Sequence, residues 1–219
     1  MGSIKRFNIP RLYHQYKLQY FFETGTWKGD GLAYAAKTPF KKLYSSEIVE
    51  SIAKEAEGRF KNDNRIQIIN DASTNALKKY LPQIDGSCLF WLDAHFPGAE
   101  EGLQEYNQTK DETIKLPLHI ELEIIASRIK RFNDVILIDD LRIYEEGGFE
   151  SGNMPAHIER PANYSINFVF DLFADTHQIV KSFRNEGYLY LLPKTALSPL
   201  SASQNFYCFI LDKWKKTII

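Results

Sequence analysis

Short apolar runs alternate with amphipathic segments along most of the chain. Five runs have strand length and close on an acid: 20–23, 42–47, 65–71, 88–93 and 135–140. The run from Cys88 to Asp93 is nearly continuous in apolar residues, which is typical of a central strand buried on both faces. Strands that alternate with helical segments predict βαβ units and a parallel sheet.

The segments between these runs predict the helices and loops. We expect a short helix or cap within residues 4–19, bordering a ligand site, and helices over 32–37, 48–60, 72–80, 117–131 and 163–175. Two glycine-rich stretches, 96–113 and 141–162, predict long loops. The tail predicts strands at 177–183, 188–192 and 206–211, and therefore an antiparallel C-terminal edge on a doubly wound α/β sheet.

Composition narrows the class of protein. The 219 residues predict a single domain, residues 1–219, with 1–19 as an N-terminal cap segment. Lys and Arg number 27 against 28 Asp and Glu, a balance that argues against a nucleic-acid partner held by a basic face. No apolar run approaches the length of a membrane span, and no signal peptide is visible, so we expect a cytoplasmic protein. Cys88 and Cys208 lie in apolar runs and are expected to be buried, reduced thiols.

The first strand leads into a glycine-rich turn. Residues 21–31 read Phe-Phe-Glu-Thr-Gly-Thr-Trp-Lys-Gly-Asp-Gly. A strand, a glycine turn and a helix let the backbone approach a nucleotide-like ligand closely, with helix N–H groups pointing at it. An ordinary strand-to-helix turn is the alternative interpretation, because glycine favours such turns anyway.

Acids close all five predicted parallel strands and would gather at one edge of the sheet. Taken singly, such an acid is usually a helix cap. Glu47 lies 24 residues after Glu23, close to the offset at which an acid reaches ribose hydroxyls, and Asp71 could meet an adenine amine. A second group consists of Asp93, Asp139 and Asp140, whose oxygens suit Mg²⁺, with His95 beside them as a candidate general base.

The sequence motifs of other enzyme families are absent or match only by chance. The Gly-x-Gly-x-x-Gly pattern of dinucleotide binders is absent, because Gly25, Gly29 and Gly31 are spaced differently. Tyr106 and Lys110 have the spacing of short-chain dehydrogenases but lie in a predicted loop, so we interpret them as a chance match. No P-loop and no Gly-x-Ser-x-Gly elbow occurs.

From about residue 20 to residue 145 the chain resembles class I S-adenosylmethionine-dependent methyltransferases. The likeness rests on the glycine turn, Glu47, Asn70-Asp71-Ala72, the run Phe90-Trp-Leu-Asp-Ala-His95, Leu116-Pro-Leu118 with Glu121-Leu122, and Ile136-Leu-Ile-Asp-Asp140. It is nearest to small metal-dependent sugar O-methyltransferases of the macrocin type. The chain departs from that pattern after His95, where Phe96-Pro97-Gly98 replaces a small Tyr/Ser-Gly-Gly type of loop, and it is too short for their extra N-terminal region.

The resemblance implies a Rossmann-like, mostly parallel seven-stranded sheet and the following site. S-adenosylmethionine would be bound by Glu23, Thr24, Gly25, Thr26, Gly29, Glu47, Asp71, Ala72, Ser73 and Asp93. Mg²⁺ or another divalent cation would be held by Asp93, Asp139 and Asp140, and His95 with Asp93 would be catalytic.

The implied activity is Mg²⁺-assisted O-methylation of a sugar or glycan, with an oligomer possible. Two alternatives stay open at this point. One is a nucleotide-sugar enzyme, either a glycosyltransferase or a reductase, because acid clusters with Mg²⁺ also hold sugar diphosphates. The other is a Rossmann-like interaction module that binds no cofactor, in which the strand-end acids serve as helix caps.

Overall fold

A computed structural model describes residues 3–99, 102, 105–106, 108–160 and 165–194. The predicted strand at 206–211 and Cys208 lie outside the described residues. Cys88 is buried as a free thiol, as expected.

A seven-stranded sheet runs through the described part of the chain. Its order is β3-β2-β1-β4-β5-β7-β6. Strands β1 to β5 are parallel, whereas β7 is antiparallel to both β5 and β6. The predicted doubly wound α/β sheet with an antiparallel C-terminal edge is therefore confirmed. The strands are β1 (Tyr20–Thr24), β2 (Lys42–Glu47), β3 (Ile66–Asn70), β4 (Cys88–Leu92), β5 (Val135–Ile138), β6 (His177–Ser182) and β7 (Tyr188–Pro193).

Helices connect the strands in the order that the sequence predicts. None of the helices in the described ranges is long and apolar enough to cross a membrane. They are α1 (Ile9–Tyr16), α2 (Asp30–Ala35), α3 (Glu50–Phe60), α4 (Ser73–Tyr80), α5 (Glu112–Lys115), α6 (Leu118–Ala126) and α7 (Asn167–Phe173).

Side chains alternate between the two faces of the sheet and form a separate core on each. On β1, Phe22 packs with α4, α6 and α7, while Phe21 packs with α1 and α2. On β4, Phe90 joins the first core and Trp91 the second. Burial on both faces explains why β4 reads as an unbroken apolar run rather than an alternating one.

Several predicted boundaries were wrong by a few residues. Helix α2 begins at Asp30 and not at residue 32, because Gly29 adopts a left-handed conformation (φ 74°) and serves as the N-cap. The helix predicted over 117–131 ends at Ala126, after which residues 127–131 form turns that carry Arg128 inward. The loop predicted over 96–113 ends in the one-turn helix α5.

A buried ion pair holds the amino ends of β4 and β5 together, on the side of the sheet opposite the strand-end acids. Arg128 Nε lies 2.9 Å from Asp134 Oδ2, and the guanidinium also donates to the carbonyl of Ile84. Asp134 is fully buried and accepts from the Cys88 N–H at 2.8 Å. Each charge therefore has its hydrogen bonds inside the protein, which a buried ion pair requires.

Replacing Arg128 with Met should lower the free energy of unfolding by about 3–5 kcal/mol, because Asp134 would remain buried without its counter-charge. Urea denaturation followed by circular dichroism measures this loss. The exposed neighbour Arg131 provides the control, and Arg131→Met should stay within about 0.5 kcal/mol of the parent. Equal effects of the two substitutions would contradict a structural role for the ion pair.

Candidate functional site

A cavity of about 600 Å³ opens at the carboxyl ends of the parallel strands, where the strand order reverses around β1. This is the expected ligand position in a doubly wound sheet, and the volume suits a drug-sized ligand. The predicted site residues that line it are Glu23, Gly25, Thr26, Glu47, Asp71, Ala72, Ser73, Asp93, His95, Asp139 and Asp140.

The glycine turn brings the β1 backbone directly against its neighbours. The N–H groups of Gly25 and Thr26 both donate to the carbonyl of Ser46, at 3.0 and 3.1 Å. Gly25 has φ +79°, and a Cβ at this position would lie 2.8 Å from the carbonyl oxygen of Asp93. Glycine is therefore required here both for its conformation and for the close approach of two backbones.

Glu23 is the most deeply buried of the predicted cofactor acids. It is 1% exposed, and its carboxylate accepts from the Ser45 hydroxyl at 2.6 Å. Burial raises the pKa of Glu23 to about 8; the Ser45 hydrogen bond lowers it, while the charges of Asp93 and Glu47 raise it further. This carboxyl group is thus poised to ionise when a cation arrives beside it.

Glu47 and Asp71 are engaged by backbone groups at the ends of β2 and β3. Glu47 accepts from the N–H of Trp27 at 2.9 Å and from that of Val49 at 3.0 Å. Asp71 accepts from the Ala72 N–H at 2.8 Å. Both carboxylates line the cavity while fixing a turn, so the cap interpretation and the ligand interpretation are compatible at these two positions.

His95 lies between two acids at the other end of the cavity. Its Nε2 is 3.0 Å from Asp140 Oδ2 and its Nδ1 is 3.8 Å from Asp93 Oδ1. Desolvation lowers the pKa of His95, but the Asp140 hydrogen bond and the charges of Asp140, Asp93 and Asp139 outweigh it and raise the pKa to about 10. In this arrangement the imidazole is protonated at neutral pH.

The predicted metal ligands surround this imidazole. Asp139 is 6% exposed and accepts from the Asp140 N–H at 2.8 Å; burial, with the charges of Asp93 and Asp140, raises its pKa well above the ordinary value. Asp140 has φ +55°, and its Oδ1 is buried without a hydrogen bond. In the described ranges no three His, Cys, Asp or Glu side chains stand in a metal-ligand arrangement. The residue types therefore suit a divalent cation, whereas their positions in this structure do not form a metal site.

Two predicted cofactor residues do not line the cavity. Thr24 is fully buried, and its hydroxyl accepts from the Asp93 N–H at 3.3 Å, because it ends β1 with its side chain against β4. Gly29 faces away from the cavity, where a Cβ would meet the ring of Phe60 on α3. Both residues shape the glycine turn on the side that faces away from the cavity.

The cavity wall also contains residues that were not predicted to belong to the site. The predicted N-terminal border is present as Ser3, Ile4 and Lys5. Further wall residues come from the glycine turn, the β2 end, the segments around α5 and after β5, and the β6–β7 turn: Trp27, Ser46, Phe96, Thr113, Ile114, Pro117, Arg142 and Glu186. Residue type alone did not distinguish the apolar ones from core residues or the polar ones from surface residues. The unassigned Glu121 is buried behind the wall, where burial raises its pKa to about 7 and hydrogen bonds from Ser73 and Thr24 oppose that rise.

Solved structures share this fold. The SAH-bound methyltransferase PaMTH1 of Podospora anserina has 16% identity and a TM-score of 0.57, with 85% of this chain and 76% of that chain covered. An O-methyltransferase from Bacillus cereus in complex with SAH has 12% identity and a TM-score of 0.56, with 89% and 82% covered. The chain matches no protein-family model and no curated protein. The fold is therefore that of class I methyltransferases.

Replacing Glu23 with Gln should stabilise the ligand-free protein at pH 7–8. The folded pKa, about 8, exceeds the ordinary 4.5, so the folded state binds the proton more tightly and Glu23's contribution to stability falls as pH rises from about 4.5 to 8. The Gln variant should lack this slope and gain a few kcal/mol at pH 8. Thermal unfolding from pH 5 to 8 measures it, with exposed Glu55→Gln as the control. Parallel pH profiles for parent and Glu23→Gln would contradict the raised pKa.

Proposed function

We propose that the protein is an S-adenosylmethionine-dependent O-methyltransferase acting on a hydroxyl of a sugar or glycan. The observation that carries the proposal is the cavity at the carboxyl ends of β1, β2 and β4, where the Gly25 turn lies between Glu47 and Asp93 in a fold shared with SAH-bound methyltransferases. The acids at that turn suit a ligand with hydroxyls, an amine and a positive charge.

Each cofactor residue has a chemical task in this proposal. When bound, S-adenosylmethionine supplies a methyl group whose bond to sulfur breaks as the bond to the acceptor oxygen forms, the sulfur keeping the electron pair. Glu47 would accept hydrogen bonds from the ribose hydroxyls, and Asp71 with Ala72 would border the adenine. Asp93 would place negative charge near the sulfonium, and Glu23 would add to it by ionising when the cation binds.

His95 handles the acceptor's proton in this proposal. Its contact with Asp140 fixes the orientation of the ring, and the ring lines the cavity. A protonated imidazole cannot accept a proton, and a positively charged cofactor, when bound, would lower the pKa of His95 and favour the neutral ring. The neutral ring would accept the proton of the acceptor hydroxyl as the new C–O bond forms.

The proposal includes a divalent cation held by Asp93, Asp139 and Asp140. Their oxygens are the donors that Mg²⁺ prefers, and the three carboxyl groups line the same cavity. When bound, Mg²⁺ would lower the pKa of the acceptor hydroxyl.

The charge of the wall favours this activity over the use of a nucleotide sugar. Basic side chains on the wall are already paired: Lys5 lies 3.6 Å from Asp30, and Arg142 lies 3.4 Å from Asp140. A diphosphate would meet a surplus of carboxylates, whereas a neutral polyol or a sulfonium would not be repelled. The acids on the wall are Glu23, Asp30, Glu47, Asp71, Asp93, Asp139, Asp140 and Glu186.

S-adenosylhomocysteine at about 100 times its dissociation constant should stabilise the protein by about 2.7 kcal/mol, which differential scanning fluorimetry records as a rise in melting temperature. Gly25→Ala should abolish that rise, because the new methyl group would collide with the backbone of Asp93. The same substitution at Gly58, where a Cβ meets nothing within 4 Å, should leave it intact. Stabilisation by a UDP-sugar instead would favour the nucleotide-sugar alternative, and no shift with either ligand would favour the interaction module.

Removal of divalent cations should reduce methyl transfer to a sugar acceptor by about 10²-fold, and Mg²⁺ should restore it. The assay measures transfer of radioactive methyl from labelled cofactor, with and without EDTA. Asp139→Asn should lose activity similarly and should no longer respond to Mg²⁺. Full turnover of the parent in EDTA would remove the cation from the proposal while leaving the role of His95 intact.

A further inference from the structure

Phe96 occupies a position where the sequence departs from the family that it resembles, and it touches His95. The ring centroids of the two residues are 5.7 Å apart with the planes nearly perpendicular, at 87°. On another side Phe96 contacts Tyr106 edge-on, at 5.3 Å. It is 4% exposed and has φ +43°, a conformation that a bulky residue rarely adopts without support.

Lys115 gives Phe96 this support in two ways. The backbone N–H of Phe96 donates to the carbonyl of Lys115 at 2.9 Å, and the ammonium of Lys115 lies 5.9 Å from the centre of the Phe96 ring. That distance is within the range of a cation–π contact. Backbone and side chain of Lys115 therefore fix the position and the tilt of the ring that borders His95.

Lys115 itself is a buried charge with two carboxylate partners. Its side chain is 2% exposed, and Nζ lies 3.4 Å from Glu159 Oε2 and 4.0 Å from Glu112 Oε1. A buried ammonium is tolerated only with such partners. Glu159 belongs to the irregular segment 141–160, so this ion pair joins it to the segment that carries His95 and Phe96.

We propose that Phe96 and Lys115 are positioning residues that hold the His95 imidazole against Asp140, with Glu159 anchoring Lys115. The chain of contacts runs from Glu159 through Lys115 and Phe96 to His95. Its consequence for catalysis rests on the proposed function, but the orientation of His95 does not.

The chain offers a matched control in Lys110. Its Nζ also lies 4.0 Å from a Glu159 carboxylate oxygen, but its side chain is 78% exposed. Lys110→Met and Lys115→Met therefore remove the same group facing the same partner, in the first case from an exposed side chain and in the second from a buried one. Only the second removes the cation that faces the Phe96 ring.

The test combines histidine-selective ¹³C NMR with steady-state kinetics on the full chain. Signals of His95 are identified among the five histidines by their loss in His95→Gln. Lys115→Met should shift or broaden the His95 signals, lower kcat about 10-fold and leave the KM for the cofactor within about 2-fold. Lys115→Arg should recover part of the loss, and Lys110→Met should leave both measurements at parent values.

His95 signals that are unchanged in Lys115→Met would overturn the proposal, whatever the kinetics show. If that variant fails to fold, Phe96→Leu supplies the same test, because it keeps an apolar side chain at the site while removing the ring face that meets Lys115. A protein that binds no S-adenosylhomocysteine would overturn the proposed function. The NMR comparison would still decide whether Phe96 and Lys115 position His95.

Discussion

Negative charge concentrated at one edge of the sheet is the constraint around which this molecule is organised. Parallel strands end side by side, so Glu23, Glu47, Asp93 and Asp139 face a common space. His95 lies 3.8 Å from Asp93, but burial and neighbouring carboxylates still disfavour the ionisation of Glu23 and Asp139 and raise their pKa values. A positively charged ligand would relieve this repulsion, so ligand binding and the ionisation of these carboxyl groups are coupled at this edge.

The site depends equally on the close approach of the glycine turn after β1 to the backbones at the ends of β2 and β4. Ser46 accepts hydrogen bonds from two successive amides of the turn, and Gly25 lies against the carbonyl of Asp93 with no side chain between them. These contacts bring the ends of β1, β2 and β4 together into one rigid wall. The clustered acids and the left-handed turn cost free energy of folding. Two apolar cores and the Arg128–Asp134 pair at the opposite edge provide the stability that offsets this cost.

Sequence reasoning predicted the sheet and the acids because both follow from local patterns. The period of apolar residues reveals each strand, and the parallel topology then places residues such as Glu47 and Asp139 at the same edge. It could not predict that Thr24 and Gly29 lie behind the wall, since a turn's side-chain directions depend on tertiary packing. Arg142 comes from an irregular segment, and Thr113 and Lys115 come from the one-turn helix α5, which is too short to show a period of apolar residues. The inward turn of Arg128 after the end of α6 likewise depends on a tertiary partner, Asp134, just before β5.

The N-terminal segment has a practical consequence for anyone who produces this protein. The Ser3 N–H donates to the hydroxyl of Tyr188, and Ser3 to Lys5 form part of the cavity wall. Any chain placed ahead of Ser3 is therefore joined to a residue of the cavity wall. Affinity tags and fusion partners at the N-terminus should be cleaved before ligand-binding measurements.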